Sequence, residues 1–74
     1  MNIYQEVKEK RDILRARYGG MMSFKDLGEE LGVKRVGTET AIREMEIPAT
    51  RVGRQLRYDT DVVARKLVER RGMA

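Results

Sequence analysis

The sequence predicts a mainly α-helical domain with one small β-hairpin. Three observations carry this: apolar residues recur at helical spacing in four stretches, glycines or a proline stand at the ends of those stretches, and residues 49–58 read as two short strands about a glycine. With 74 residues the chain is one domain. Domains of this size bury only about 60% of the surface their unfolded chains expose, which leaves no room for a deep substrate pocket.

The first helix is expected over residues 2–18, where Ile3, Val7, Leu14 and Tyr18 fall on one narrow stripe amid mixed charge. Gly19-Gly20 ends it, because glycine accepts the left-handed conformation of a helix stop. Ser23 is a good N-cap and Asp26 can answer it in a capping box, so a second helix starts at Phe24, with Phe24, Leu27, Gly28 and Leu31 on one face. Gly32 stops it after about two turns. A third helix runs from about Arg35 or Thr38 to Met45 with Ala41, Ile42 and Met45 inward, and Gly37 weakens its start. Pro48 forbids its continuation and pushes Ile47 into an extended conformation. Around a Gly53-Arg54 turn, Ala49, Arg51, Leu56 and Tyr58 share one face of the hairpin and Thr50, Val52, Gln55 and Arg57 the other. Asp59 or Asp61 caps a last helix that reaches about Arg70 and packs through Val63, Leu67 and Val68. The N-terminal amphipathic helix thus occupies segment 1–20 and the remaining elements segment 21–74, within one domain.

The chain has neither cysteine nor histidine. The usual structural zinc site, haem ligation, iron–sulfur clusters and imidazole-based triads are therefore excluded, and only a carboxylate Mg²⁺ or Ca²⁺ site remains formally open. No cofactor is expected. No disulfide can form, the first residues carry no apolar signal core, and no apolar run approaches the roughly 18 residues of a membrane span, so the expected location is the cytoplasm.

The net charge of +4 is unevenly spread: residues 1–18 carry +2, 19–48 carry −2, 49–58 carry +3 and 59–74 carry +1. The hairpin is the only element without an acidic residue, and Arg51, Arg54 and Arg57 sit on it. Such an excess suits a polyanion, because arginine pairs with phosphate in a fork and is weakly hydrated. It also suits a solvated edge hairpin that uses charge against strand-to-strand aggregation. The element order decides between them: two helices joined by a short glycine turn form a helix-turn-helix, and a hairpin directly after the second helix stands where a wing meets DNA.

At this point the residues match a known pattern. Ser23-Phe24-Lys25-Asp26-Leu27-Gly28-Glu29-Glu30-Leu31-Gly32-Val33, then Ile42-Arg43-Glu44, Ile47-Pro48-Ala49 and Arg51-Val52-Gly53-Arg54 resemble the excisionase-type winged helix-turn-helix family, which is related to the DNA-binding domains of MerR-type regulators. The likeness covers residues 22 to about 70. It implies a winged helix-turn-helix with an extra N-terminal helix. It also implies binding to duplex DNA, as a phage or mobile-element excisionase in recombination, as a small transcriptional regulator, or as a DNA-binding domain of a packaging terminase subunit. By position, the resemblance turns Lys34, Arg35, Thr38, Glu39, Thr40 and Arg43 toward the major groove and makes Arg51, Arg54, Gln55 and Arg57 the wing. The stretch Val36-Gly37-Thr38-Glu39-Thr40 departs from the family pattern in having fewer helix formers and basic groups, and Glu39 repels phosphate.

Arg43 is the best base-reading candidate, since arginine reads guanine in bidentate fashion; its competing role is a surface partner for Glu39 or Glu46. Ile3, Val7, Leu14 and Tyr18 either pack the first helix on the same chain or form a partner-binding or dimerisation stripe. Expected partners are double-stranded DNA and, in cooperative assembly, a second copy, an integrase or another regulator; membrane binding is disfavoured by the narrow stripe and mixed charge. The competing class is a protein–protein adaptor or the DNA-binding subunit of a larger recombination or packaging complex. An enzyme is not expected: Ser23 is explained as a cap, Tyr4, Tyr18 and Tyr58 fall at packing positions, and no phosphate-binding loop of the Gly-Lys-Ser/Thr type occurs. Single-strand binding is disfavoured because Phe24, Tyr18 and Tyr58 are needed in a small core.

Overall fold

The computed structural model describes residues 2–72. Residues 1, 73 and 74, which the expected segments 1–20 and 21–74 include, lie outside the described residues. The elements follow one another as helix α1 (Ile3–Tyr18), strand β1 (Met21–Met22), helices α2 (Phe24–Leu31) and α3 (Arg35–Glu44), strands β2 (Ala49–Val52) and β3 (Gln55–Asp59), and helix α4 (Thr60–Gly72). This is a helix-rich winged helix-turn-helix with an extra N-terminal helix.

Side-chain caps fix the starts of α1, α2 and α4. Asn2 accepts from the Gln5 N–H at the start of α1. The Ser23–Asp26 capping box is complete, with both hydrogen bonds at 3.0 Å. Of the two aspartates that could cap α4, it is Asp59 that does so, accepting from the N–H groups of Asp61 and Val62. Thr60, fully buried, donates through its hydroxyl to the Gly19 carbonyl at 2.8 Å and through its N–H to the Gly20 carbonyl at 3.1 Å. The start of α4 is thereby tied to the end of α1.

Both helices of the helix-turn-helix end in the same hydrogen-bond pattern. After α2 the N–H groups of Gly32 and Val33 return to the carbonyls of Glu29 and Gly28; after α3 those of Glu46 and Ile47 return to Arg43 and Ile42. Each is a Schellman closure, which requires a left-handed residue. Gly32 supplies it in the first case (φ 69°), and Glu46 does so in the second (φ 54°).

The sheet holds one strand more than the hairpin. β3 lies at its centre, with β2 on one side and β1 on the other, all antiparallel. β1 is only two residues long, too short for a period-two pattern to reveal it. In the hairpin Ala49 faces Tyr58, Arg51 faces Leu56 and Val52 faces Gln55, so the expected face assignment and the Gly53-Arg54 turn both hold. Gly53 has φ 63° at the first central position, where a primed hairpin turn needs a positive value.

The core draws on every element except β2, whose four residues are all exposed: Leu14, Met22, Leu27, Met45, Ile47, Tyr58, Val63 and Ala64 form one buried cluster, and Tyr18, Phe24, Leu31, Ala41, Ile42 and Leu67 pack against it. Helix α1 lies along α4, and Leu14 has no exposed surface. Of the two alternatives for Ile3, Val7, Leu14 and Tyr18, packing of the first helix on the same chain is the one that Leu14 and Tyr18 take. Leu14 and Tyr18 are spent on the chain's own core, Val7 is half-buried, and only Ile3 remains largely exposed. Tyr4, expected at a packing position, is 83% exposed, one residue and about 100° around the helix from Ile3 and so off the stripe. Among the described residues no helix is long and apolar enough to cross a membrane.

Candidate nucleic-acid interface

Helix α3 meets the core through Thr38, Ala41, Ile42 and Met45. At 100° per residue, the line opposite runs through Val36, Thr40 and Arg43, at spacings of four and three. Arg43 is exposed and ion-pairs with nothing among the described residues; its competing role as partner of Glu39 or Glu46 is not the one it takes. Glu39 is engaged instead by Arg35, with 3.5 Å between Nε and Oε1. That pairing offsets part of the repulsion Glu39 would exert on a phosphate.

Thr38 must be removed from the groove-facing set. It is 1% exposed, its hydroxyl donates to the Lys34 carbonyl at 3.0 Å, and it fills the space beside Gly28 of α2. The cause is rotational: Thr38 lies four and seven residues from Ile42 and Met45, on the inward line of the helix. Thr40, by contrast, sits half-buried on the outward side between Val36 and Arg43.

The turn before α3 is held close by two missing side chains. A Cβ on Gly28 would stand 2.9 Å from Thr38 Oγ1 and 3.2 Å from the Val33 carbonyl oxygen, and one on Gly37 would stand 2.8 Å from Val33 Cβ. Gly37 therefore lets the first turn of α3 close onto Val33, which is the compensation for its poor helix propensity.

On the wing, Arg51 and Arg54 are exposed with no partner among the described residues, and Arg57, half-buried, donates to the Gln55 side-chain oxygen. Arg51 projects from the same sheet face as Leu56 and Tyr58, while Gln55 and Arg57 share the other. Between the wing, α2 and α3 lies an open groove of about 1260 Å³. Phe24, Ile42, Leu56 and Tyr58 contribute its apolar surface; Lys25, Lys34, Arg35 and Arg57 outnumber Glu29 and Glu39 along it.

The pairing of charge separates this surface from the rest of the molecule. On α1 and α4, Lys10 and Arg17 meet Glu30, Arg11 meets Asp12, Arg15 meets Asp61, Arg65 meets Glu69 and Arg70 meets Glu44, with Lys8 and Lys66 as exceptions. Around the groove and wing, Lys25, Lys34, Arg43, Arg51, Arg54 and Arg57 have no ion pair among the described residues, and Arg35 alone is paired. Lys25, Val36 and Leu56 belong to this surface yet were not in the residue set read from the sequence. Val36 was detectable there, since it falls four and seven residues before Thr40 and Arg43. Lys25 and Leu56 become visible only once the hairpin is folded against α2.

Compared with models of protein families, with curated proteins and with solved structures, the chain matches none.

Proposed function

We propose that this protein binds duplex DNA, with α3 in the major groove and the arginine hairpin on the backbone or the adjacent minor groove, as an excisionase or small transcriptional regulator does. The observation that carries this reading is the segregation of unpaired cations: Lys25, Lys34 and Arg57 line the groove between α2, α3 and the wing, Arg43 stands on the outward line of α3, and Arg51 and Arg54 stand on the wing, all without an ion pair among the described residues, while the cations of α1 and α4 are mostly neutralised within the chain. Phosphates along a duplex are the ligand that such a surface attracts without needing a pocket. The protein acts without a cofactor and without catalysing a reaction, in the cytoplasm, through recombination or transcription control. A second copy or an integrase joining it on DNA would raise specificity beyond what one small interface reaches.

A second reading, a protein–protein adaptor or subunit of a recombination or packaging complex, is favoured by Phe24, Ile42 and Leu56, which give the groove an apolar wall. Fluorescence anisotropy with labelled random-sequence duplexes separates the two. Saturable binding that weakens steeply with salt supports the DNA reading. Absence of binding at about 50 mM salt, where phosphate contacts are strong, overturns it.

A further inference from the structure

Val36 is the most exposed large aliphatic side chain among the described residues, at 74%, and it sits on the first turn of α3 rather than on a loop. Nothing in the local structure accounts for it. Valine is a weak helix former, and its side chain lies some 200° around the helix from Thr38, so it does nothing for the core. It shares the outward line of α3 with Thr40 and Arg43, in the N-terminal half of the helix, which in a helix-turn-helix lies nearest the base edges.

The major groove presents one apolar group, the C5 methyl of thymine; its other base-edge groups are hydrogen-bond donors and acceptors. A valine placed against donors and acceptors would strip them of water and return nothing. Against a methyl group both partners lose apolar surface to water. We propose that Val36 reads a thymine by packing on its C5 methyl, in line with a guanine taken by Arg43, so that α3 reads a thymine and a guanine a fixed distance apart. Seven residues of helix span roughly 10.5 Å, which corresponds to about three base pairs at 3.4 Å each. Thr40, between them, offers a methyl and a hydroxyl to the intervening step.

This inference rests on the duplex-binding reading, and its test is arranged so that the two fail separately. A preferred duplex is selected from a random pool, and each thymine in it is replaced in turn by deoxyuridine, which lacks only the methyl group. Anisotropy titrations are run with the unaltered protein and with Val36→Ser. One thymine, about three base pairs from an essential G·C pair, is expected to lose about fourfold in affinity on demethylation, the worth of one buried methylene-sized group. The same replacement should cost Val36→Ser nothing. If every deoxyuridine duplex binds the unaltered protein as well as its thymine parent, the methyl contact does not exist, and this arm needs no protein variant. A loss that persists undiminished in Val36→Ser also overturns the assignment. Failure of the unaltered protein to bind any duplex overturns the DNA reading itself.

Discussion

Gly28 on α2 and Thr38 on α3 stand so close that a Cβ on the first would lie 2.9 Å from the hydroxyl oxygen of the second. The crossing of the two helices, and with it the angle at which α3 is presented, is set by this pair. Gly28→Ala gains helix propensity of about 1 kcal/mol but must displace either Thr38 or the Val33 carbonyl; overpacking of this kind costs about 1–3 kcal/mol. A net loss of stability is expected in urea denaturation. In a Thr38→Ala background the same substitution should cost less, with a coupling above about 0.5 kcal/mol. Additive losses would show that the two side chains do not compete for one space.

The other helix end carries strain that a glycine removes. Glu46 holds φ 54° at the Schellman closure of α3, a conformation that costs an L-residue roughly 1–2 kcal/mol. Glu46→Gly relieves it but adds freedom to the unfolded chain, worth about 0.4–1 kcal/mol in the opposite direction. A net gain of about 0.5–1 kcal/mol should raise Tm by several degrees in calorimetry.

Glu30 makes stability sensitive to acid. Its carboxylate accepts from Lys10 at 3.0 Å, Arg17 at 2.7 Å and the Tyr18 hydroxyl at 3.3 Å, with 10% of the side chain exposed. Burial alone would raise its pKa, but the hydrogen bonds and charges of Lys10, Arg17 and Tyr18 outweigh burial and hold it below the ordinary value. A lowered folded pKa contributes stability that is fully present above the ordinary glutamate range and is lost as pH falls through the folded value. Stability measured by urea melts should therefore drop on acidification, and Glu30→Gln, about 1–2 kcal/mol less stable at neutral pH, should drop less. Parallel pH profiles for the two proteins would remove Glu30 from the acid response.

The residues that made the fold legible are those with local, one-sided rules. Ser23 with Asp26, Gly32 before Val33, Pro48 after Ile47, and Gly53 in the turn each act within a few residues, and each element boundary near them agrees with the structure. What sequence could not supply was long-range: β1 exists only because Met21-Met22 meets Tyr58-Asp59, and Leu14 is buried only because α1 lies along α4. The interface was read in part for the same reason. The wing arginines announce themselves by composition, whereas Thr38 and Val36 exchange roles according to the rotation of α3, which Gly28 and Gly37 set by close approach. A helix of ten residues, with a capping lysine that makes no side-chain hydrogen bond, leaves that rotation weakly marked in its own sequence.

Salt dependence measures how much of the binding the wing supplies. With about four phosphate contacts, log K should fall against log salt with a slope near −3.6, and each contact removed should reduce its magnitude by about 0.9. Arg51, Arg54 and Arg57 are free of ion pairs among the described residues, so their joint replacement by alanine should leave folding within about 0.5 kcal/mol of the original and flatten the slope. A folded triple variant with full affinity and an unchanged slope would take the wing off the DNA.

Arg43 is expected to behave differently because it lies on the outward line of α3 and is exposed without an ion pair among the described residues. A guanidinium that takes the O6 and N7 of a guanine contributes about 1–3 kcal/mol against the wrong base, a term absent from non-specific complexes. Arg43→Ala should therefore lose affinity for the selected duplex by roughly 5- to 150-fold while its binding to random duplexes falls much less. The salt slope should stay close to that of the unaltered protein, because no phosphate contact has been removed. Losses of equal size on every duplex, with a slope reduced by about 0.9, would make Arg43 a backbone contact and leave α3 to position the protein rather than to choose its site.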